Sequence, residues 1–156
     1  MEVANQKSGD VSMAYWLFKS EPGVWSWDMQ KAKGSTGEEW TGVRNYQARN
    51  NMRLMKLGEK GFFYHSNESR AIVGIVEVCK LAHKDSTADV DTWECVDIRA
   101  LIDVPKAVSL DGIKLDKRLK DMVLVKNSRL SVQPVSAEEW KIICDLGGVK
   151  TPPRLT

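Results

Sequence analysis

Along Tyr15–Ser20 apolar residues fall on both faces, Tyr15 and Leu17 on one and Trp16 and Phe18 on the other, which predicts a buried strand. Pairing should stop at Lys19-Ser20-Glu21-Pro22, because proline offers no N–H. Ser26 is placed to cap a short helix from Trp27 to about Lys33, which Gly34 ends. From Tyr46 the pattern becomes that of a longer helix. Tyr46, Asn50, Leu54 and Leu57 recur at i, i+4, i+8 and i+11, and Ala48, Met52 and Met55 widen that face.

Gly61–Ser66 and Ala71–Lys80 read as a hairpin turned at Asn67–Arg70, its second strand apolar on both sides. Leu81–Thr92 reads as an acidic loop and Trp93–Leu101 as a further strand. Ser109 heads a helix bearing Leu110, Ile113, Leu119 and Met122, with Gly112 as its weak point. In Arg129–Pro134, Leu130 and Val132 face one way and Arg129, Ser131 and Gln133 the other. Ser136 and Glu139 form a capping box for a last helix with Trp140, Ile143 and Cys144, ended by Gly147-Gly148. Strands and helices mixed without βαβ regularity predict a small α+β, barrel-like domain. The expected organisation is a disordered leader at 1–13, one domain at 14–147 and a flexible tail at 148–156.

Composition narrows the function. Apolar content is 42%, charged content 28% and net charge +2, ordinary for a globular domain and too weakly basic for a general nucleic-acid coat. The charge is unevenly placed, with seven Lys/Arg against three Asp/Glu between Lys31 and Lys60. Between Asp85 and Asp103 six acids face Arg99 alone. One basic face and one acidic edge suit a partner held in one orientation. Cys79, Cys95 and Cys144 lie far apart in apolar pattern and read as buried thiols of a reducing compartment. Two histidines without paired spacing are too few for a zinc site, so no metal or cofactor is expected. No apolar run approaches the ~20 residues of a membrane span, so no membrane partner is expected either. Six tryptophans are many for a chain this size.

The chemistry concentrates in Trp40-Thr41-Gly42-Val43-Arg44-Asn45-Tyr46-Gln47-Ala48-Arg49-Asn50-Asn51. Indole, guanidinium, phenol and carboxamide groups make poor core but a good grip on a planar, hydrogen-bonding ligand. Gly42 would let a ligand approach backbone amides. Arg49, Arg53 and Lys56 form a basic stripe along the helix.

Trp16–Pro22, Trp25-Ser26-Trp27-Asp28, Trp40–Asn50, Phe63–Ser66, Ile72-Val73-Gly74 and Arg129–Val135 together resemble an EVE domain, in the family's order and over nearly the whole chain. The resemblance implies a PUA-like fold, a curved sheet or pseudo-barrel with helices packed at its rim. It also implies kinship with YTH domains, which read methylated adenine in RNA through an aromatic cage, and a role as a reader of modified bases in RNA or DNA. The chain departs from the commoner family pattern at Trp25 and in a shortened acidic loop after His83. Trp40-Thr41-Gly42 looks like one wall of such a cage.

The expected base pocket is therefore Lys19, Ser20, Trp27, Trp40, Gly42, Asn45, Tyr64, Ser66, Ser131 and Gln133, with His65 balanced between a contact and a structural role. Arg44, Arg49, Arg53, Lys56 and Arg129 would engage phosphates, which position a strand without specifying sequence. No catalytic residue is assigned. The alternative is a small PUA-like hydrolase of the ASCH kind acting on a nucleoside or amide, built on Lys19, Ser20, Asp28, Tyr64 and His65. An adaptor role for the acidic 85–103 region stays open. A monomer is expected, cytoplasmic in a bacterial cell and nuclear in a eukaryotic one.

Overall fold

The computed structural model describes residues 13–150. Residues 1–12 of the expected leader (1–13) and the end of the expected tail (151–156) lie outside them. Six strands form one mixed sheet: β1 (Tyr15–Ser20), β2 (Glu38–Glu39), β3 (Lys60–His65), β4 (Ala71–Lys84), β5 (Glu94–Ser109) and β6 (Val132–Val135). Their order across the sheet is β2-β5-β4-β3-β1-β6. The edge strands β2 and β6 do not meet, so the curved sheet stays open rather than closing into a barrel. The fold is α+β, as expected.

Strand β1 is parallel to β3, with Lys19 beside Tyr64 and Ser20 beside His65, so both strands end at the same rim of the sheet. The other pairings are antiparallel. The two-sided apolar pattern of β1 is resolved as two cores. Leu17, Phe62 and Tyr64 face one cluster with Ile72, Ile75, Ile113 and Trp140. Trp16, Phe18 and Phe63 face the other with Trp27, Trp40, Met52, Val76 and Ile98. Helices α3 (Leu110–Leu115), α4 (Val123–Lys126) and α5 (Ala137–Leu146) contribute to the first cluster, and α1 (Trp27–Ala32) and α2 (Tyr46–Leu54) to the second.

Four expectations change. Strands β4 and β5 run 14 and 16 residues, well beyond the expected Lys80 and Leu101. What reads as an acidic loop is partly ladder: Lys80, His83 and Lys84 pair with Asp97, Cys95 and Glu94. Cross-strand opposite charges support that pairing where apolar alternation fades. Register shifts along β4–β5 mark bulges that bend the ribbon. The helix expected after Ser109 is broken into α3, a 3₁₀ turn (Lys117–Leu119) and α4, because Asp116 caps a new start by accepting from the Arg118 N–H. On α2 the buried residues are Ala48 and Met52, followed by Met55, whereas Tyr46, Leu54 and Leu57 are 62%, 68% and 54% exposed.

Ser26 and Ser136 cap α1 and α5 as their spacing indicates, the latter in a full capping box with Glu139. Val149 is buried against the first core and its N–H donates to the Cys144 carbonyl at 2.9 Å, so packing reaches past 147 into the expected tail.

Candidate functional site

At the rim where β1 ends, a cleft of about 570 Å³ opens on the side of the second core. Its walls come from the end of β1 (Lys19, Ser20, Glu21), the next loop (Val24, Trp25), β2 and the following turn (Glu38 through Arg44), and Ser86, Thr87 and Ser131. Trp40 reaches it while only 7% exposed. Its ring meets Phe18 and Phe63 edge-on at 5.4 and 5.7 Å, so this wall is continuous with the core and rigidly held. Trp25 is half-buried, and its indole N–H donates to Gln30 Oε1 at 2.9 Å. Two indoles therefore line one cleft.

The turn after Trp40 is held by Asp85. This carboxylate is 1% exposed and accepts the Gly42 N–H at 2.8 Å, the Thr87 N–H at 2.8 Å, the Thr87 hydroxyl at 2.6 Å and Arg44 at 3.1 Å. Burial pushes the Asp85 carboxyl up, but the Thr87, Gly42 and Arg44 hydrogen bonds outweigh it and hold it below its ordinary value. Gly42 sits at φ +84, where a Cβ would be strained. Glu39 is similarly held low, burial being outweighed by the Ser86 hydroxyl and amide at 2.8 and 3.1 Å.

Glu39, His83 and Cys95 bring ligand-type atoms within 4.8 Å of one another. They already satisfy neighbours. The Cys95 thiol, pushed up to about 12 by burial, donates to Glu39, and the His83 nitrogens face Asp97 Oδ1 at 2.7 Å and the Lys84 carbonyl at 2.9 Å. A cation would have to break those contacts before binding.

A second cleft, about 460 Å³, lies at the same rim on the opposite face of the sheet. Lys19, Tyr64, Ser66, Asn67, Arg70, Lys114 and Ser128 line it, with Leu110 and Leu124 as its apolar part. Lys19 borders both clefts.

The sequence matches the EVE domain over residues 14–146. The chain belongs to the EVE domain family. A crystal structure of a protein from Agrobacterium tumefaciens is 62% identical, with a TM-score of 0.88, over 92% of this chain and 99% of that one. Thymocyte nuclear protein 1 of Danio rerio is 37% identical, over 93% of this chain and 78% of the relative. Human THYN1, crystallised in complex with DNA containing 5-methylcytosine, is 34% identical with a TM-score of 0.79, over 90% and 99% of the two chains. A YTH domain from Zygosaccharomyces rouxii, in complex with N6-methyladenosine RNA, shares the fold at 19% identity and a TM-score of 0.53.

In this EVE domain the residues singled out from sequence are divided. Lys19, Ser20, Trp40, Gly42, Arg44 and Ser131 border the first cleft, whereas Tyr64 and Ser66 border the second. Four others are engaged elsewhere. Asn45 caps α2, accepting the Ala48 N–H at 2.8 Å. Gln133 is fully buried, and its amide donates to the carbonyls of Leu130 and Asn127. Trp27 is a core residue, its indole N–H donating to Asp103 Oδ1 at 2.7 Å and its ring lying over Gly74. His65 Nε2 accepts the Trp27 N–H at 3.0 Å, a structural role in which burial lowers its pKa.

Of the residues named for the hydrolase alternative, Ser20 and His65 are not coupled to each other: the Ser20 hydroxyl donates to the Trp25 carbonyl at 2.5 Å and His65 Nε2 accepts the Trp27 N–H. Nor do the helix cations form an open stripe. Arg44 is ion-paired with Asp85 and Arg53 with Glu94, while Arg49 lies over the Tyr46 and Trp93 rings and donates to the Thr92 carbonyl. Lys56 and Arg129 are exposed. The Gly42 amide, expected to face a ligand, is taken by Asp85.

The sequence leaves Trp25 and Trp27 open as the rim indole, and the structure puts Trp25 at the cleft and Trp27 in the core; Glu38 and Glu39 as rim acids and Asp85 as the clamp are not singled out from sequence. Trp25 is half-visible, since Trp25-Ser26-Trp27 offers two indoles and a helix start decides which one turns inward.

Proposed function

We propose that this EVE domain is a nucleic-acid reader that takes a methylated base, a 5-methylcytosine of DNA, into the first cleft. The observation behind this reading is the pair of indoles, Trp25 and Trp40, lining one cleft with Ser20, Lys19 and Ser131 at its polar side. The 34%-identical relative in complex with 5-methylcytosine DNA supports the choice of ligand. Stacking on an indole is worth roughly 1–3 kcal/mol per base, which offsets most of the few kcal/mol needed to flip a base out. Glu38 at the rim matches an exocyclic amino donor, the feature by which carboxylates recognise cytosine.

The test is thermal. Free 5-methyl-2′-deoxycytidine should raise the melting temperature as RT ln(1 + [L]/Kd) requires, more than 2′-deoxycytidine does, and be recovered unchanged. Trp25→Ala, at the rim, should abolish most of the shift while leaving the unliganded protein folded. Equal shifts with both nucleosides would remove methyl reading, and a deaminated or cleaved product would replace the reader by an enzyme.

A further inference from the structure

We infer that the second cleft holds the phosphates of the strand whose base occupies the first, so the nucleic acid bends around the end of β1 at Lys19. The inference rests on the reading proposed above for the first cleft. Its own basis is charge. The first cleft is bordered by Glu21, Glu38 and Glu39 against Lys19 and Arg44, and Arg44 is already paired with Asp85. A phosphate placed there would meet carboxylates. The second cleft has Lys19, Arg70 and Lys114 on its walls and no acidic residue among them. Among the described residues neither Arg70 nor Lys114 forms an ion pair, unlike Arg44 at the first cleft and Arg53 on α2. Ser66 and the Tyr64 phenol add neutral donors, so the lining suits oxyanions and itself carries no carboxylate, the Asp111 charge felt at Tyr64 lying outside it.

Two further observations agree. Arg70 stands at φ +39, a conformation that non-glycine residues seldom adopt, and its carbonyl accepts the Leu110 N–H at 2.8 Å. A long cationic side chain kept at a position that favours glycine is the kind of local strain found at binding sites. Lys19, half-buried with its ammonium on the Ser128 carbonyl, borders both clefts and so links the base to its backbone.

The experiment compares Arg70→Gln/Lys114→Gln with Arg49→Gln/Arg53→Gln. The probes are a short DNA oligonucleotide carrying one 5-methylcytosine and the free nucleoside 5-methyl-2′-deoxycytidine. The first pair should weaken the oligonucleotide and flatten its plot of log affinity against log salt by about 0.7–0.9 for each phosphate no longer neutralised. Nucleoside affinity should be unchanged. The second pair should leave the slope within a few tenths of wild type. Arg70→Gly, which suits the backbone, should melt no lower than wild type yet bind the oligonucleotide less tightly. An unchanged slope in Arg70→Gln/Lys114→Gln, or a slope carried by Arg49 and Arg53, overturns the phosphate site. Should the wild type ignore the nucleoside, the reading of the first cleft falls, but salt-dependent oligonucleotide binding weakened by Arg70→Gln/Lys114→Gln would still uphold the second.

Discussion

The Asp85 carboxylate accepts the Gly42 backbone N–H at 2.8 Å across 43 positions of sequence, tying the loop after β4 to the turn after Trp40. Asp85→Asn keeps the shape but sets an amide N–H against donors. It should cost about 1–3 kcal/mol, read by denaturant unfolding. The Asp85 carboxyl is held below its ordinary value of 3.8, so its contribution is fully present above that pH and disappears as pH falls through the lower folded value. The gap between wild type and Asp85→Asn should therefore close only in strong acid. A gap that closed by pH 6 would mean that another group carries the effect.

Trp40 serves the core and the cleft together. With 7% exposure and edge contacts to Phe18 and Phe63, Trp40→Ala should cost about 3–5 kcal/mol of stability, so weakened binding in that variant would prove little. Trp40→Phe is the informative change. It should stay folded and bind 5-methyl-2′-deoxycytidine several-fold more weakly by calorimetry. Affinity equal to wild type would take Trp40 out of the ligand wall.

Gly74 exists for Trp27. A Cβ there would stand 2.2 Å from Trp27 Cζ2, and Trp27 is pinned by Asp103 at 2.7 Å and by packing on Phe63. Gly74→Ala should destabilise by about 1–3 kcal/mol through overpacking. Trp27→Leu should absorb much of that cost, which a double-mutant cycle measures.

The two histidines give pH dependences of opposite sign. His65 is lowered by burial, Asp28 opposing only weakly, so its contribution is present above the unfolded value near 6.5 and is lost as pH falls through the folded value. For His83, burial lowers the pKa, but the Asp97 and Lys84 hydrogen bonds outweigh it and the net shift is upward. Its contribution is present below about 6.5 and is lost as pH rises through the folded value. His83→Gln should therefore lose more stability relative to wild type at pH 5.5 than at pH 8.5. A constant difference across that range would show that the His83 charge contributes nothing.

Asn45→Ala separates an edge reader from a cap. Removal of the cap should cost about 0.5–2 kcal/mol of stability and leave nucleoside affinity almost unchanged once both proteins are folded.

Local pattern is enough where a residue's role depends on near neighbours. Ser26, Ser136 and the two-sided β1 are legible because caps and alternation act within a few positions. Asn45 misleads for the converse reason: the carboxamide that could read a base is satisfied three residues on. On α2, Tyr46 and Leu54 look like core, yet Ala48 and Met52 are the residues buried. Periodicity finds a helix but cannot choose between two opposite faces when both carry apolar residues. Lys19 and Ser20 adjoin in sequence, yet Lys19 borders both clefts and Ser20 only the first, so adjacency at a strand end does not reveal that it serves two clefts. Asp85 is invisible as a clamp, because its partners Gly42 and Arg44 become neighbours only through the β4–β5 ribbon.

The clamp also frees the tip of its loop. Asp85 and Thr87 perform the anchoring, whereas Asp89, Val90 and Asp91 are exposed and contribute none of those hydrogen bonds. Exposed tips tolerate inserted chain far better than anchored stems do. A peptide tag or a short tether for a fluorophore placed between Asp89 and Asp91 would report from a position fixed against Gly42 through Asp85. This acidic stretch is thus where the molecule can be labelled or immobilised without touching either cleft.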